Sequence, residues 1–195
     1  MTMVFQIIGV VLLLAFYTCY FGKMLRQKKR GIQTDQMGKG KRGMVKGIEL
    51  SVKFCTCFVV FAEVLALFLN VSGLPTWCRV AGVLLGIAGV VIFILSVVTM
   101  KDSWRAGVPE GEKTELVTAG IYSWSRNPAF LGFDLLYLGL LLMFFHWALF
   151  LVTVLAVLML HLQIVNVEED FLAQTFGGEY VNYRKKVCRY FGRKG

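Results

Sequence analysis

The chain has 195 residues, 57% hydrophobic and 17% charged, with a net charge of +9. Soluble domains run nearer about 45–50% apolar and about 25% charged, and here the apolar residues fall in long blocks, so an ordinary soluble domain is excluded. The positive charge sits beside those blocks, which points to a membrane surface and not to nucleic acid.

A first span is expected at about 3–21. It has no basic segment before it and no clear small-residue cleavage site, so it reads as a span and not as a signal peptide. Nine Lys/Arg and a single acid, Asp35, lie between Lys23 and Lys46, which places that side in the cytosol and the amino terminus outside. The Gly22–Gly47 connection is expected to be solvated. A second span follows at 48–69, with Glu49 and Lys53 at its start, four apart and suited to pairing. Asn70–Pro75 reads as a compact outer turn.

The third span is expected at 77–100, where Gly82, Gly86 and Gly89 permit close approach of another helix. Residues 101–128 differ in kind, with four basic and four acidic residues and two of the three prolines; a connection of that length is often functional. Residues 129–165 are almost uninterruptedly apolar. As one helix they would be about 55 Å long against a hydrocarbon core of about 30 Å, so they must fold back. His146-Trp147 is the natural place, giving spans at 129–145 and 147–165 as a tight hairpin.

After Val165 come Glu168-Glu169-Asp170 and an amphipathic stretch with Phe171, Leu172 and Phe176, for which Gly177-Gly178 is a stop. Tyr180, Tyr183, Val187 and Tyr190 then recur among basic residues, as in a helix on the cytosolic membrane surface. The expected fold class is all-α: one polytopic membrane domain, 1–195, of five transmembrane helices with a C-terminal amphipathic helix. The five cysteines, Cys19, Cys55, Cys57, Cys78 and Cys188, show no metal spacing, and no metal is expected.

The hairpin brings Thr114–Phe130 and Glu168-Glu169 to one mouth. A glycine-containing polar loop facing carboxylates suits a ligand with an amine and ribose hydroxyls. Gly120 permits backbone approach, Tyr122 and Trp124 offer stacking faces, and Glu168 accepts hydrogen bonds. The same residues also suit an interfacial aromatic belt with carboxylates at a helix start.

The run Leu116-Val117-Thr118-Ala119-Gly120-Ile121-Tyr122, then Arg126-Asn127-Pro128-Ala129-Phe130, resembles the isoprenylcysteine carboxyl methyltransferase family and its bacterial relatives. Glu168-Glu169, Phe176-Gly177-x-Glu179-Tyr180-x-x-Tyr183 and Val187-x-Arg189 resemble the family's C-terminal signature, so the likeness covers 104–190. It implies a pocket for S-adenosyl-L-methionine formed by Thr114, Glu115, Leu116, Val117, Tyr122, Asn127, Pro128, Ala129, Phe130 and Glu168. Arg126 is implied to orient substrate or loop. Asn127 stands where eukaryotic members have His, and Ile164 where they carry a substrate-contacting arginine.

Among ionisable residues inside spans, Asp134 and His161 are candidates for lining the acceptor cavity, while Glu63 reads as a protonated or paired packing residue. The expected reaction is methyl transfer to a lipid-like or prenylated acceptor entering from the inner leaflet, with carboxyl O-methylation of an isoprenylcysteine-like group favoured. An amine acceptor would give Asp134, His161 or Glu169 a base role. The alternatives are a phospholipid amine N-methyltransferase, an NADPH-dependent membrane reductase of related architecture, and a non-enzymatic membrane adaptor. The expected location is a bacterial inner membrane, with the active site and C-terminus cytosolic.

Overall fold

In a computed structural model, which describes residues 2–108 and 115–194, the described chain is helical, with two isolated β-bridges, Asp35 to Ala106 and Val187 to Arg193. The helices are α1 (Thr2–Lys29), α2 (Gly43–Leu69), α3 (Thr76–Met100), α4 (Pro128–Met143), α5 (Trp147–Gln163) and α6 (Glu169–Lys186). Four helical stretches, Met3–Lys29, Gly43–Leu69, Thr76–Ser103 and Trp147–Lys186, are long and apolar enough to cross a membrane, and Pro128–Met143 is a shorter apolar helix. The chain is an integral membrane protein.

Helices α3 and α4 make the most extensive contact in the molecule, and glycine is the reason. The helices run antiparallel, with Gly82 and Gly86 of α3 against Gly139 of α4 and Gly89 against Gly132. A Cβ at Gly82 would lie 2.5 Å from the Gly139 carbonyl oxygen, and one at Gly89 would lie 2.7 Å from the Leu136 backbone nitrogen. The approach is backbone to backbone, the device by which membrane helices gain packing contact without a hydrophobic drive. The three glycines of α3 thus find their partner in the fourth span.

The opposite end is closed by Arg79. Its guanidinium donates to the Met143 carbonyl at 2.6 Å and to Asn70 Oδ1 at 3.2 Å, between the rings of Phe5 and Phe144. The fold-back comes at the expected place, since His146 caps α5 by accepting the Leu149 N–H at its Nδ1. The hairpin is not tight, however: α4 lies along α3 and α5 along α2, because glycine lets α3 approach α4 more closely than α5 can.

The connection between α1 and α2 also departs from expectation. It is solvent-exposed over much of its length, but it is also folded. Gln27, buried at the end of α1, donates to the Trp104 carbonyl at 2.9 Å and accepts from Thr34. The backbone of Gln36 donates to Ala106, and that of Ala106 to Thr34. This strap shields the start of α2 and changes its pairing. Glu49 takes Lys41, and Lys53 takes Asp35 at 2.5 Å, instead of each other.

At the far end, α5 passes through a π-turn, Ile164–Glu168, into α6. Gly177, at φ +49°, redirects α6 without ending it. The apolar stripe of α6 is turned inward: Tyr180, Tyr183 and Val187 are buried against Leu116, Leu172 and Phe176. This face meets the motif loop, not lipid.

Glu63 is buried in α2, and neither carboxyl oxygen has a hydrogen-bond partner among the described residues, so no pairing explains it. Leaving a buried polar group unsatisfied costs about 1–3 kcal/mol. Glu63→Leu is therefore expected to raise the midpoint of thermal unfolding in detergent by about 2–8 °C. A lower midpoint than that of the unaltered protein would show that the carboxyl stabilises the fold.

Candidate active site

Motif loop and C-terminal segment meet at the end of the bundle that carries the strap. Residues Gly120–Ser123 form a 3-10 turn, with Gly120 at φ +60° and its missing Cβ space taken by Thr99. That turn drops Tyr122 into the bundle, where its hydroxyl and Ser96 Oγ lie 2.7 Å apart. Burial pushes the Tyr122 phenol up, so it stays neutral. Its backbone carbonyl accepts from the Tyr183 hydroxyl at 2.6 Å, which joins α6 to the loop.

Arg126 is buried and central. Its Nη1 donates to the Tyr180 hydroxyl at 2.9 Å and lies 3.0 Å from Glu169 Oε1. Glu169 in turn receives a two-pronged contact from Arg189, at 2.8 and 3.0 Å, a geometry only a planar guanidinium provides. The Glu169 carboxylate raises the Arg189 guanidinium further above its already high value. Asn127 Nδ2 donates to the Arg189 carbonyl, and the Arg126 N–H donates to the Cys188 carbonyl. Residues 187–194 continue as a hook on the loop: Gly192 N–H donates to the Trp124 carbonyl at 2.7 Å, and Phe191 stacks on Trp124.

Glu168 points elsewhere. It is half-buried, and its Oε1 accepts from Gln163 Nε2 at 3.3 Å. Glu169, not Glu168, therefore touches the motif loop directly. His161 meets the C-terminal hook at Tyr190, and the Asp134 carboxyl is close enough to act on that phenol electrostatically. The His161 Nδ1 and the Tyr190 hydroxyl are 2.6 Å apart, with their rings stacked. Burial first, and the nearby Asp134 carboxyl second, push the Tyr190 phenol up. Asp134 is itself buried, and its Oδ1 has no partner among the described residues.

Of the other expected residues, Glu115 is exposed, Leu116 and Val117 are half-buried, and Pro128 opens α4 at a position that needs no N–H. Thr114 lies outside the described residues. Ala129 and Phe130 line a mostly apolar cavity of about 520 Å³. Its walls come from α1 (Tyr17, Tyr20), α2 (Thr56, Val60), α4 (Phe133) and α5 (Leu160), and its polar end holds Asp35, Lys53 and Arg105. Sequence reasoning did not find the α1 wall, the strap, Gln163 or Tyr190 as site residues. Tyr190 carried a signal, being one of the recurring C-terminal aromatics; the strap carried none beyond its glycines.

The model of the phospholipid methyltransferase family matches residues 77–179. The protein-S-isoprenylcysteine O-methyltransferase of Saccharomyces cerevisiae is 30% identical over 112 residues, which are 56% of this chain and 47% of that protein. The Rattus norvegicus protein of the same name is 30% identical over 115 residues, 57% of this chain and 40% of that protein. The one from Schizosaccharomyces pombe is 36% identical over 72 residues, 37% of this chain and 30% of that protein. The alignments thus span less than half the length of the curated relatives.

Proposed function

Since the chain belongs to the phospholipid methyltransferase family and is a relative of the isoprenylcysteine carboxyl methyltransferases, we propose that it transfers a methyl group to a lipid-like acceptor, with a prenylcysteine-like carboxylate favoured. The methyl group would come from S-adenosyl-L-methionine, whose positively charged sulfur keeps the electron pair of the broken C–S bond and leaves as the neutral thioether of S-adenosylhomocysteine. The observation that carries this reading is the cavity of about 520 Å³, whose wall includes Ala129 and Phe130 of the motif. It is large enough for a chain-bearing molecule, and Ala129 and Phe130 tie it to the end of the motif that resembles the family's cofactor segment.

The side chains present fit both ligands. Half-buried Glu168, oriented by Gln163, suits accepting hydrogen bonds from ribose hydroxyls or an ammonium. Tyr122, Asn127 and Pro128 hold the loop in shape, and Arg126 with Glu169 locks it to α6. Helices α1 and α2 flank one side of the cavity and touch each other only sparsely, which favours entry of the acceptor from the bilayer. Lys53 and Arg105 at its polar end suit an anionic group, in place of the arginine that Ile164 replaces. A carboxylate acceptor needs no base, so positioning in a dry site supplies most of the catalysis. On this reading the basic cluster at 23–46 favours a cytosolic position for this end, in a bacterial inner membrane. One observation favours a second acceptor class: the buried Asp134 Oδ1, unpartnered among the described residues, suits taking a proton from an amine.

Incubating the purified protein with methyl-labelled S-adenosylmethionine and a total lipid extract is expected to put label into an amphiphile, which mass spectrometry then identifies. Label that stays water-soluble would rule out a lipid-like acceptor. Filling the cavity with Val60→Trp is expected to raise KM for that amphiphile at least tenfold, equivalent to about 1.4 kcal/mol, while S-adenosylhomocysteine affinity is unchanged. Equal loss of both would contradict separate subsites.

A further inference from the structure

Glu49 lies on α2, outside the span of 77–179 that the family match covers. Its side chain is fully buried. Oε2 accepts the Gly38 N–H at 2.7 Å, and Oε1 meets the Lys41 ammonium, the Val108 N–H at 3.4 Å and Gln163 Nε2 at 3.5 Å. The same Gln163 nitrogen donates to Glu168 Oε1 at 3.3 Å. An amide nitrogen carries two hydrogens, so one side chain bridges two carboxylates. With its nitrogen turned to both, Gln163 keeps its Oε1 buried and without a partner among the described residues. Val108 is the last described residue before the loop that leads to Glu115. One buried carboxylate is therefore tied to both segments expected to hold the cofactor.

We propose that Glu49 is a positioning residue for the cofactor: through Gln163 it sets the orientation of the Glu168 carboxylate, and through the Val108 N–H it fixes where the cofactor loop begins. This rests on the reading of Glu168 as the cofactor's carboxylate contact. The chemistry is self-consistent. Two carboxylates flanking one amide repel each other, and Lys41, 5% exposed, supplies the compensating charge from the strap. The strap whose Asp35 and Met37 line the acceptor cavity thus also steadies the cofactor side.

The test is equilibrium binding of S-adenosylhomocysteine to the full chain in detergent, for Glu49→Gln, Gln163→Met and Glu168→Gln alone and combined. Gln163→Met keeps the Lys41–Glu49 pair, so it speaks even if Glu49→Gln folds poorly; size exclusion checks both. Loss of a hydrogen bond to a charged group is worth about 1.5–3 kcal/mol, so Glu49→Gln and Gln163→Met are each expected to weaken binding about tenfold or more. Added to Glu168→Gln, Gln163→Met should weaken it no further, because it acts through that carboxylate, and Glu49→Gln should weaken it by less than it does alone, the remainder being what the Val108 contact contributes.

A pH series separates positioning from mere structure. The charged groups facing Glu168 are Glu49 and Lys41, with neutral Tyr122 nearby. Removing the Glu49 charge eases ionisation of Glu168, so the pH below which binding is lost should move down in Glu49→Gln. Unaltered affinity in both single variants, or effects that add in full to Glu168→Gln, would overturn the inference alone. Failure of the unaltered protein to bind would overturn the cofactor reading and the inference with it.

Discussion

Gly139→Leu is expected to leave no folded protein in detergent extracts. The Cβ alone would lie 2.6 Å from the Gly86 nitrogen and 2.7 Å from the Gly82 carbonyl oxygen, both backbone atoms that cannot swing aside. Overpacking a well-filled core costs about 1–3 kcal/mol even when side chains give way. Here α3 and α4 must separate, and the contact being lost is the largest in the molecule. Gly139→Ala should already lower the thermal midpoint markedly. Gly178→Ala is the control: a Cβ there meets nothing within 4 Å, and the thermal midpoint should not change. Size-exclusion recovery and thermal unfolding of the three variants check this, and normal recovery of Gly139→Leu would show that the two helices are not in backbone contact.

Glu169→Leu is the second large effect. Among the described residues, Glu169 is the anion that bridges Arg126, whose side chain is 4% exposed, and Arg189, 31% exposed. Removing it leaves a buried guanidinium facing another of the same sign, and breaking a buried pair in this way costs about 3–5 kcal/mol. The strain should appear locally first. The hook 187–194 and the motif loop are joined through Arg189, Asn127 and Cys188, so hydrogen exchange is expected to rise at 120–127 and 187–194 before the bundle opens. Glu169→Gln keeps the shape and one acceptor, and should cost less. Unchanged exchange in Glu169→Leu would mean that the hook is held by its backbone bonds alone.

Much of this arrangement was legible in the residues. Long apolar blocks fix spans, and a block of 37 residues cannot be one helix in a bilayer of about 30 Å, so the fold-back followed from length and its place from the polar and aromatic pair His146-Trp147. That fold-back also returned Glu168 and Glu169 to the motif loop. What stayed hidden depends on contacts between residues far apart. Glu49 and Lys53, four apart on a helix, looked like partners, but Lys41 and Asp35 on the strap compete for them and win. Nothing in the spacing told which of two adjacent glutamates would reach Arg126; the π-turn over Ile164–Glu168 decides it by shifting the helical register. The amphipathic pattern of α6 showed an apolar face without saying whether lipid or protein would cover it, and Leu116 of the motif loop packs against it.

The central claim is that residues from two distant stretches line one nucleoside site. Photolabelling with an azido analogue of S-adenosylmethionine, followed by peptide mapping, tests it directly. Adducts are expected in both 115–130 and 163–190, suppressed together by S-adenosylhomocysteine. Competed label in only one of these stretches, or label that S-adenosylhomocysteine does not suppress, would contradict it.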